Sequence, residues 1–139
     1  MIDNRTAPYG TFILRVAMGL LFLAHGGIKV FVFGFAGTAQ YFASFGLPAW
    51  LAYAIIALEI FGGLALVLGI YARAVALVFA VELLCAVGIV HAANGFLFVN
   101  KGGGWEYPAF WAVALIAFAL LGDGAHAMRP TVPGSAQRA

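Results

Sequence analysis

The sequence predicts an all-α integral membrane protein, a four-helix bundle whose two termini both lie on the cytoplasmic side. Three observations support this prediction. The chain of 139 residues is 65% hydrophobic and only 9% charged, whereas an ordinary soluble domain has about 45–50% apolar and about 25% charged residues. Its apolar residues form four long runs, and its arginines gather on one side of those runs. Lipid must cover this much apolar surface in so small a chain.

The four apolar runs define four predicted membrane-spanning helices. A span needs about 20 residues, and glycine, asparagine and proline mark the connections between the runs. The runs are approximately Thr11–Phe33, Ala49–Ile70, Arg73–Ala93 and Glu106–Leu121. Residues 1–124 are therefore predicted to form the transmembrane domain. Residues 125–139 are polar and contain two prolines, so they are predicted to be a disordered cytoplasmic tail.

Positive charges predict the orientation. Four arginines fall on one side of a four-span arrangement, and Lys101 falls on the other. The side with the arginines is predicted to be cytoplasmic, in a multi-pass protein of the cell (inner) membrane. The net charge of +2 is too small to indicate a nucleic-acid partner. The four arginines are Arg5, Arg73, Arg129 and Arg138.

Ionisable residues inside the apolar runs predict a polar interior. Arg15, His25 and Lys29 of the first helix fall within a sector of about 80°, so one face of that helix should point inward. Glu59 lies near the middle of the second run. An acid at that depth costs several kcal/mol unless it faces a partner or water. It is therefore predicted to face the bundle interior, within reach of a first-helix cation or His25.

An outer layer of polar side chains follows from helix depth at about 1.5 Å per residue. His25, Lys29, His91 and Glu106 share one level, with Glu59 beneath them. We expect these residues to line one pocket that opens to the outer face or outer leaflet and holds the protein's ligand.

Glu82 does not fit this arrangement. It precedes His91 by nine residues, which places the two on opposite faces of an ideal helix. Both can face one centre only if Gly88 bends the helix. Otherwise Glu82 pairs with Arg15 in the inner half or faces another subunit.

Several short motifs, taken in order, resemble one known family. They are Arg15 with Gly19, His25-Gly26-Gly27-x-Lys29, Gly46-Leu47-Pro48, Glu59-x-x-Gly62-Gly63, Gly69-x-x-x-Arg73, Asn94-Gly95-Phe96 and Gly104-Trp105-Glu106-Tyr107-Pro108. In this order and spacing they resemble DoxX-family membrane proteins over about Thr11 to Gly124. The last predicted helix ends in Gly122-Asp123-Gly124, where the family commonly has Gly-Pro-Gly.

The resemblance implies a small four-helix integral membrane protein. The family takes its name from a subunit associated with a terminal quinol oxidase and with thiosulfate:quinone oxidoreduction. Other members are linked to oxidative-stress complexes, and distant relatives act as membrane chaperones or cargo receptors.

The leading interpretation is a subunit of a quinone-linked membrane oxidoreductase that binds quinone or quinol as its substrate between the helices. Quinone needs an apolar slot, donors at its carbonyls and a proton path. The candidate catalytic residues are His25, Glu59 and Glu106. The candidate binding residues are Arg15, Lys29, His91, Trp105 and Tyr107.

Alternatives remain at this stage. A chaperone, assembly factor or scaffold for a partner membrane protein would use the buried charges as a structural network, with Glu59 paired to Arg15 or Lys29. A narrow solute or proton pathway would require a homo-oligomer. His25 and His91 are also compatible with a haem, or with a zinc or iron site that includes Glu106. No metal ligands are assigned.

Overall fold

The structure is a computed structural model that describes residues 3–132, and within that range it contains five helices and no β-strand. The predicted all-α class is therefore confirmed. Three of the helices, α1, α3 and α4, are long and apolar enough to cross a membrane, and α5 is a shorter apolar helix. The helices are α1 (Ala7–Phe31), α2 (Gly34–Ser44), α3 (Ala49–Leu68), α4 (Ala72–Asn94) and α5 (Glu106–Leu121).

Helix α2 lies where the sequence predicted an irregular connection. Gly34 takes a left-handed φ of +71°, which lets the chain turn sharply after α1 before the helix resumes. The Thr38 hydroxyl then donates to the carbonyls of Lys29 at 3.1 Å and Gly34 at 3.0 Å. One glycine thus makes the whole turn, and the remaining residues of the connection are free to form a helix.

Each of the two long helices α3 and α4 contains one π-helical turn. These turns cover Leu58–Gly62 and Val87–His91. A π turn uses i→i+5 hydrogen bonds and occurs frequently at functional sites. It also rotates the residues that follow it relative to those that precede it. Glu59 and His91, two residues of the predicted pocket, both lie within π turns.

Small residues bring α1 and α3 close together. A methyl group on Gly19 would lie 2.8 Å from the Gly63 carbonyl oxygen, which is a backbone atom that cannot move aside easily. The neighbouring Gly62 faces α4 instead, where a methyl group would lie 2.8 Å from the Phe79 ring. The two adjacent glycines therefore serve two different helix contacts.

An aromatic stack joins α1, α4 and α5. The ring of Phe22 lies 3.5 Å from that of Phe79 and 4.4 Å from that of Trp111, measured between centroids. All three side chains are buried. The rest of the same core cluster includes Leu66, Leu115 and Phe118.

The two ends of the bundle differ. The arginine end carries the start of α1, the α3–α4 turn and residues 122–132. The loop end carries residues 95–105. At the arginine end, residues 125–132 pack against the bundle: Met128 N–H donates to Leu68, Arg129 N–H to Gly69, and Tyr71 N–H to Arg129, at 2.9 to 3.1 Å.

The predicted disordered tail is therefore wrong for residues 125–132, because hydrogen bonds to the backbone of α1, α3 and the α3–α4 turn hold this segment in place. The remainder of that predicted tail, residues 133–139 with Arg138, lies outside the described residues.

Large apolar side chains cover the outside of the helices. Phe31, Phe61, Phe110 and Leu120 are between 72% and 87% exposed. Water would not tolerate so continuous an apolar surface, and the bilayer is the solvent that suits it.

Candidate functional site

A cavity of about 660 Å³ lies between the helices, on the loop-end side of the aromatic stack. Its volume falls within the range of about 300–1,000 Å³ that is usual for small-molecule pockets. All five helices contribute to its walls, which are mostly apolar. The side chains with polar or titratable groups in the lining are His25, Lys29, Tyr41, Glu59, Glu82, Cys85, His91 and Tyr107, besides the indole of Trp111.

Lys29 and Glu59 form an ion pair on one side of the cavity. The Lys29 ammonium lies 2.6 Å from Oε1 and 2.7 Å from Oε2 of Glu59, and the Glu59 side chain is only 5% exposed. The expected contact between Glu59 and a first-helix cation is thus confirmed. Lys29 turns inward rather than toward the membrane surface because a carboxylate at that depth requires a partner.

His25 lies one helical turn before Lys29 and also faces the cavity. Its ring meets that of Trp111 edge-on at 5.5 Å. The His25 side chain forms no hydrogen bond with residues 3–132, and the buried Nε1 of Trp111 also has no partner there. The sequence analysis did not select Trp111. Its position one turn after Tyr107 was the available signal, since residues four apart share a helix face.

Glu82 and His91 lie on the same wall of the cavity, together with Cys85. The π turn over Val87–His91 includes Gly88 and lies between the two. It supplies the change of rotation that an ideal α-helix lacks, so residues nine apart face one centre. A bend at Gly88 was one of the alternatives that the sequence left open, and the structure has a π turn at this position.

The loop end is fastened to α4 by side-chain hydrogen bonds. The His91 Nδ1 atom lies 2.9 Å from the Gly103 carbonyl oxygen, and the Asn94 amide donates to Gly102 at 3.0 Å and to Gly103 at 3.1 Å. These bonds hold the loop beside α5 and fix the orientation of the His91 ring. Tyr107, in the first turn of α5, lines the cavity as the sequence predicted.

Glu106 and Trp105 do not line this cavity. They face a separate groove on the other side of α5, with Phe96 and Phe110. The Glu106 Oε1 accepts a hydrogen bond from the Phe98 N–H at 2.7 Å, which ties the loop to the helix start. The prediction that Glu106 shares a pocket with His25, Lys29 and His91 is therefore wrong, because helix depth does not determine helix rotation.

The zinc or iron alternative required Glu106 beside His25 and His91. Glu106 lies outside the cavity that these two histidines line. Among residues 3–132, no three His, Cys, Asp or Glu side chains are grouped closely enough to hold a metal ion.

Arg15 lies at the arginine end, away from the cavity, although the sequence placed it among the binding residues. Its guanidinium is fully buried and donates to the carbonyls of Asp123 at 2.7 Å, Ala125 at 3.3 Å and His126 at 3.4 Å. The Asp123 carboxylate accepts from the Thr131 N–H at 2.9 Å and the Thr131 hydroxyl at 2.7 Å. Asp123 therefore organises the segment that Arg15 holds.

The DoxX family model matches residues 10–92. The chain is 35% identical to the Bacillus subtilis protein named "Putative oxidoreductase CatD", over 93% of this chain and 91% of that protein. It is 33% identical to "Inner membrane protein YphA" of Escherichia coli, over 85% of this chain and 86% of that protein. No solved structure matches the chain.

A further relative, "Inner membrane protein YqjF" of Escherichia coli, is 38% identical over 49% of this chain and 51% of its own length. The names of these relatives, the long apolar helices and the apolar outer surface agree on a multi-pass inner-membrane protein. The family model and the full-length similarity to CatD together show that this chain belongs to the DoxX family.

Proposed function

We propose that this protein is a component of a quinone- or quinol-linked membrane oxidoreductase and that it binds the quinone ring in the cavity between its helices. The observation that carries the proposal is the cavity itself, about 660 Å³ of mostly apolar space with a few polar groups. A quinone has the matching form, a flat apolar ring with two oxygens. Binding sites for such ligands place a small number of polar groups on apolar walls.

The polar groups of the cavity have distinct roles in this proposal. His25, which has no hydrogen-bond partner among residues 3–132, contacts a ring oxygen. Lys29 stabilises negative charge that develops on the ring, while Glu59 keeps the lysine in place through two hydrogen bonds. Proton exchange with the ring oxygens then falls to His25 and Glu59, the titratable groups on that side. Tyr107 and His91 complete the opposite side of the site.

One relative supports the reaction class. The Bacillus subtilis relative carries the name "Putative oxidoreductase CatD". Electron transfer requires a second redox centre, so the proposal includes a partner subunit that supplies or removes electrons.

The proposed topology has four spans, with the arginine end in the cytoplasm. Helix α5 has 16 residues and extends about 24 Å, which is less than the hydrocarbon thickness of about 30 Å. It must therefore stand steeply or begin within the interface. Arg5, Arg73 and Arg129 then lie on the cytoplasmic side, as the positive-inside rule requires.

A scaffold or chaperone for a partner membrane protein is the second candidate. One observation favours it: Lys29 occupies both oxygens of Glu59, so this buried pair is satisfied internally and can serve as a structural lock. In this interpretation the cavity is a packing defect rather than a binding site.

Extraction of the purified protein separates the two candidates. The protein is purified from membranes in mild detergent, and its bound lipids are analysed by mass spectrometry. Near-stoichiometric quinone or quinol supports the oxidoreductase proposal. Ala86→Trp fills the cavity and should abolish the co-purified quinone or quinol. Ala117→Trp, on the exposed surface of α5, should not. A co-purifying membrane protein without any quinone would favour the scaffold.

A further inference from the structure

Most sides of the cavity are closed by contacts between helices. Toward the arginine end, the aromatic stack closes it. Between α1 and α5, the ring of His25 meets that of Trp111 at 5.5 Å. Between α1 and α3, the ion pair of Lys29 and Glu59 fills the space, and α4 packs closely along α5. A ligand therefore cannot pass through these sides.

The loop end closes the cavity toward water. Phe98 and Gly104 of this loop form part of the cavity lining. The side chains of His91 and Asn94 bond to the loop backbone, and the Glu106 carboxylate accepts from the Phe98 N–H. These hydrogen bonds hold the loop in place, so a ligand that came from water would have to break them.

The open side of the cavity lies between α2 and α4. Within residues 3–132, neither α2 nor Ala49–Ala57 of α3 packs extensively against α4. Side chains on both edges of this opening line the cavity and yet remain exposed. Tyr41 of α2 is 52% exposed and Ile89 of α4 is 47% exposed, and Cys85 of α4 is exposed as well. We call the opening bordered by these three residues the α2–α4 gap.

The α2–α4 gap opens to lipid rather than to water in the proposed four-span topology. At about 1.5 Å per residue, Cys85 lies about 20 Å and Ile89 about 26 Å along α4 from its arginine end. The hydrocarbon core of a bilayer is about 30 Å thick, so both residues lie at a depth where acyl chains are the solvent. The gap thus connects the cavity with the interior of the bilayer.

We propose that the ligand enters the cavity sideways from the bilayer through the α2–α4 gap, and that it is a quinone or quinol with a long apolar chain. The ring lies in the cavity, where it reaches the polar groups, and the chain lies in the gap. The chain exchanges lipid for apolar side chains at little cost, because lipid tails are as apolar as leucine. This inference rests on the proposed function and adds to it the substrate class and the route of entry.

A photoreactive quinone tests the route on the intact protein in lipid nanodiscs. The probe is a 1,4-benzoquinone with a ten-carbon chain that carries a diazirine near the middle of the chain. After irradiation, mass spectrometry locates the labelled residues. Specific labelling is the part that an excess of the same quinone without the diazirine removes. Specific labels should concentrate in α2 and in residues 81–93 of α4, on the two edges of the gap.

Two matched variants of α4 locate the effect. Ile89→Trp narrows the gap and should reduce specific labelling about tenfold, because the indole and the chain compete for the same space. Leu84→Trp is the control, since Leu84 is 49% exposed on the same helix but does not line the cavity. It should leave specific labelling unchanged. A thermal melt of each variant establishes that it is folded.

The outcomes separate this inference from the proposed function. If the excess quinone removes none of the labelling, the cavity holds no quinone, and the proposed function and the inference both fail. If the specific labels fall in residues 95–105, or on the facing sides of α1 and α5, the quinone site stands and the route through the α2–α4 gap is overturned. Equal specific labelling in Ile89→Trp and Leu84→Trp would overturn that route as well.

Discussion

Lys29 and Glu59 come from different helices, yet the lysine donates hydrogen bonds to both carboxylate oxygens, at 2.6 and 2.7 Å. The pair joins α1 to the π turn of α3 beside the cavity. Both charges lie in a region of low dielectric constant, where removal of one partner costs far more than removal of both.

Glu59→Gln should therefore destabilise the protein by on the order of 2–4 kcal/mol, because it leaves the Lys29 ammonium buried without a counter-ion. The double variant Lys29→Met/Glu59→Leu should be more stable than Lys29→Met alone or Glu59→Leu alone, since it leaves no unpaired charge. Thermal unfolding in detergent, arranged as a double-mutant cycle, measures this coupling. Additive effects would mean that the two groups do not interact in the folded protein.

Gly19→Ala should destabilise the bundle by about 1–3 kcal/mol, the usual cost of overpacking. The new methyl group would lie 2.8 Å from the Gly63 carbonyl oxygen and 2.9 Å from the Val67 nitrogen, and neither backbone atom can move without displacing α3. Gly10→Ala on the same helix is the control, because its methyl group meets no atom within 4 Å. Equal melting temperatures for the two variants would contradict the close crossing of α1 and α3.

Arg15→Met should release residues 123–132 from the bundle. The substitution keeps an unbranched apolar stem but removes the guanidinium, which leaves three backbone carbonyls without their donor. Hydrogen exchange should become faster at Met128 and Arg129, whose amides otherwise donate to Leu68 and Gly69. The exposed Arg5 provides the control variant, Arg5→Met. Unchanged exchange in Arg15→Met would show that other contacts hold the segment.

Labelling of single cysteines should place the two ends of the bundle on opposite sides of the membrane. In a Cys85→Ala background, Val99→Cys at the loop end should react with an impermeant thiol reagent from the outside, since Val99 is 84% exposed. Tyr71→Cys at the arginine end should react only after the membrane is permeabilised. Labelling of both sites from the same side would exclude the proposed four-span topology.

The sequence predicted those features that depend on depth and on the demands of buried charge. A buried Glu59 requires a cation, and Lys29 of the first helix lies in the polar layer directly above it. The α-helical class and the membrane-spanning runs followed from composition and run length. His25 and His91 were assigned to one pocket on depth alone, and both line it.

Features that depend on rotation could not be predicted in the same way. A constant advance of about 100° per residue placed Glu82 opposite His91, and helix depth alone, without rotation, assigned Glu106 to the pocket. The π turn in α4 reverses the first result, and the contact of Glu106 with the loop reverses the second. Hydrogen-bond shifts within a helix leave no signature in hydrophobic periodicity, because they depend on tertiary packing.

The contact of Arg15 with Asp123 spans 108 positions of the chain, which has a consequence for biogenesis. Arg15 enters the membrane with the first helix, but its hydrogen-bond acceptors are synthesised only after α5. Until then its guanidinium must remain hydrated or in contact with the insertion machinery, since bare hydrocarbon would reject it. The first helix can therefore complete its hydrogen bonds only after residues 123–126 have been synthesised, so the last step of its insertion depends on the segment that follows α5.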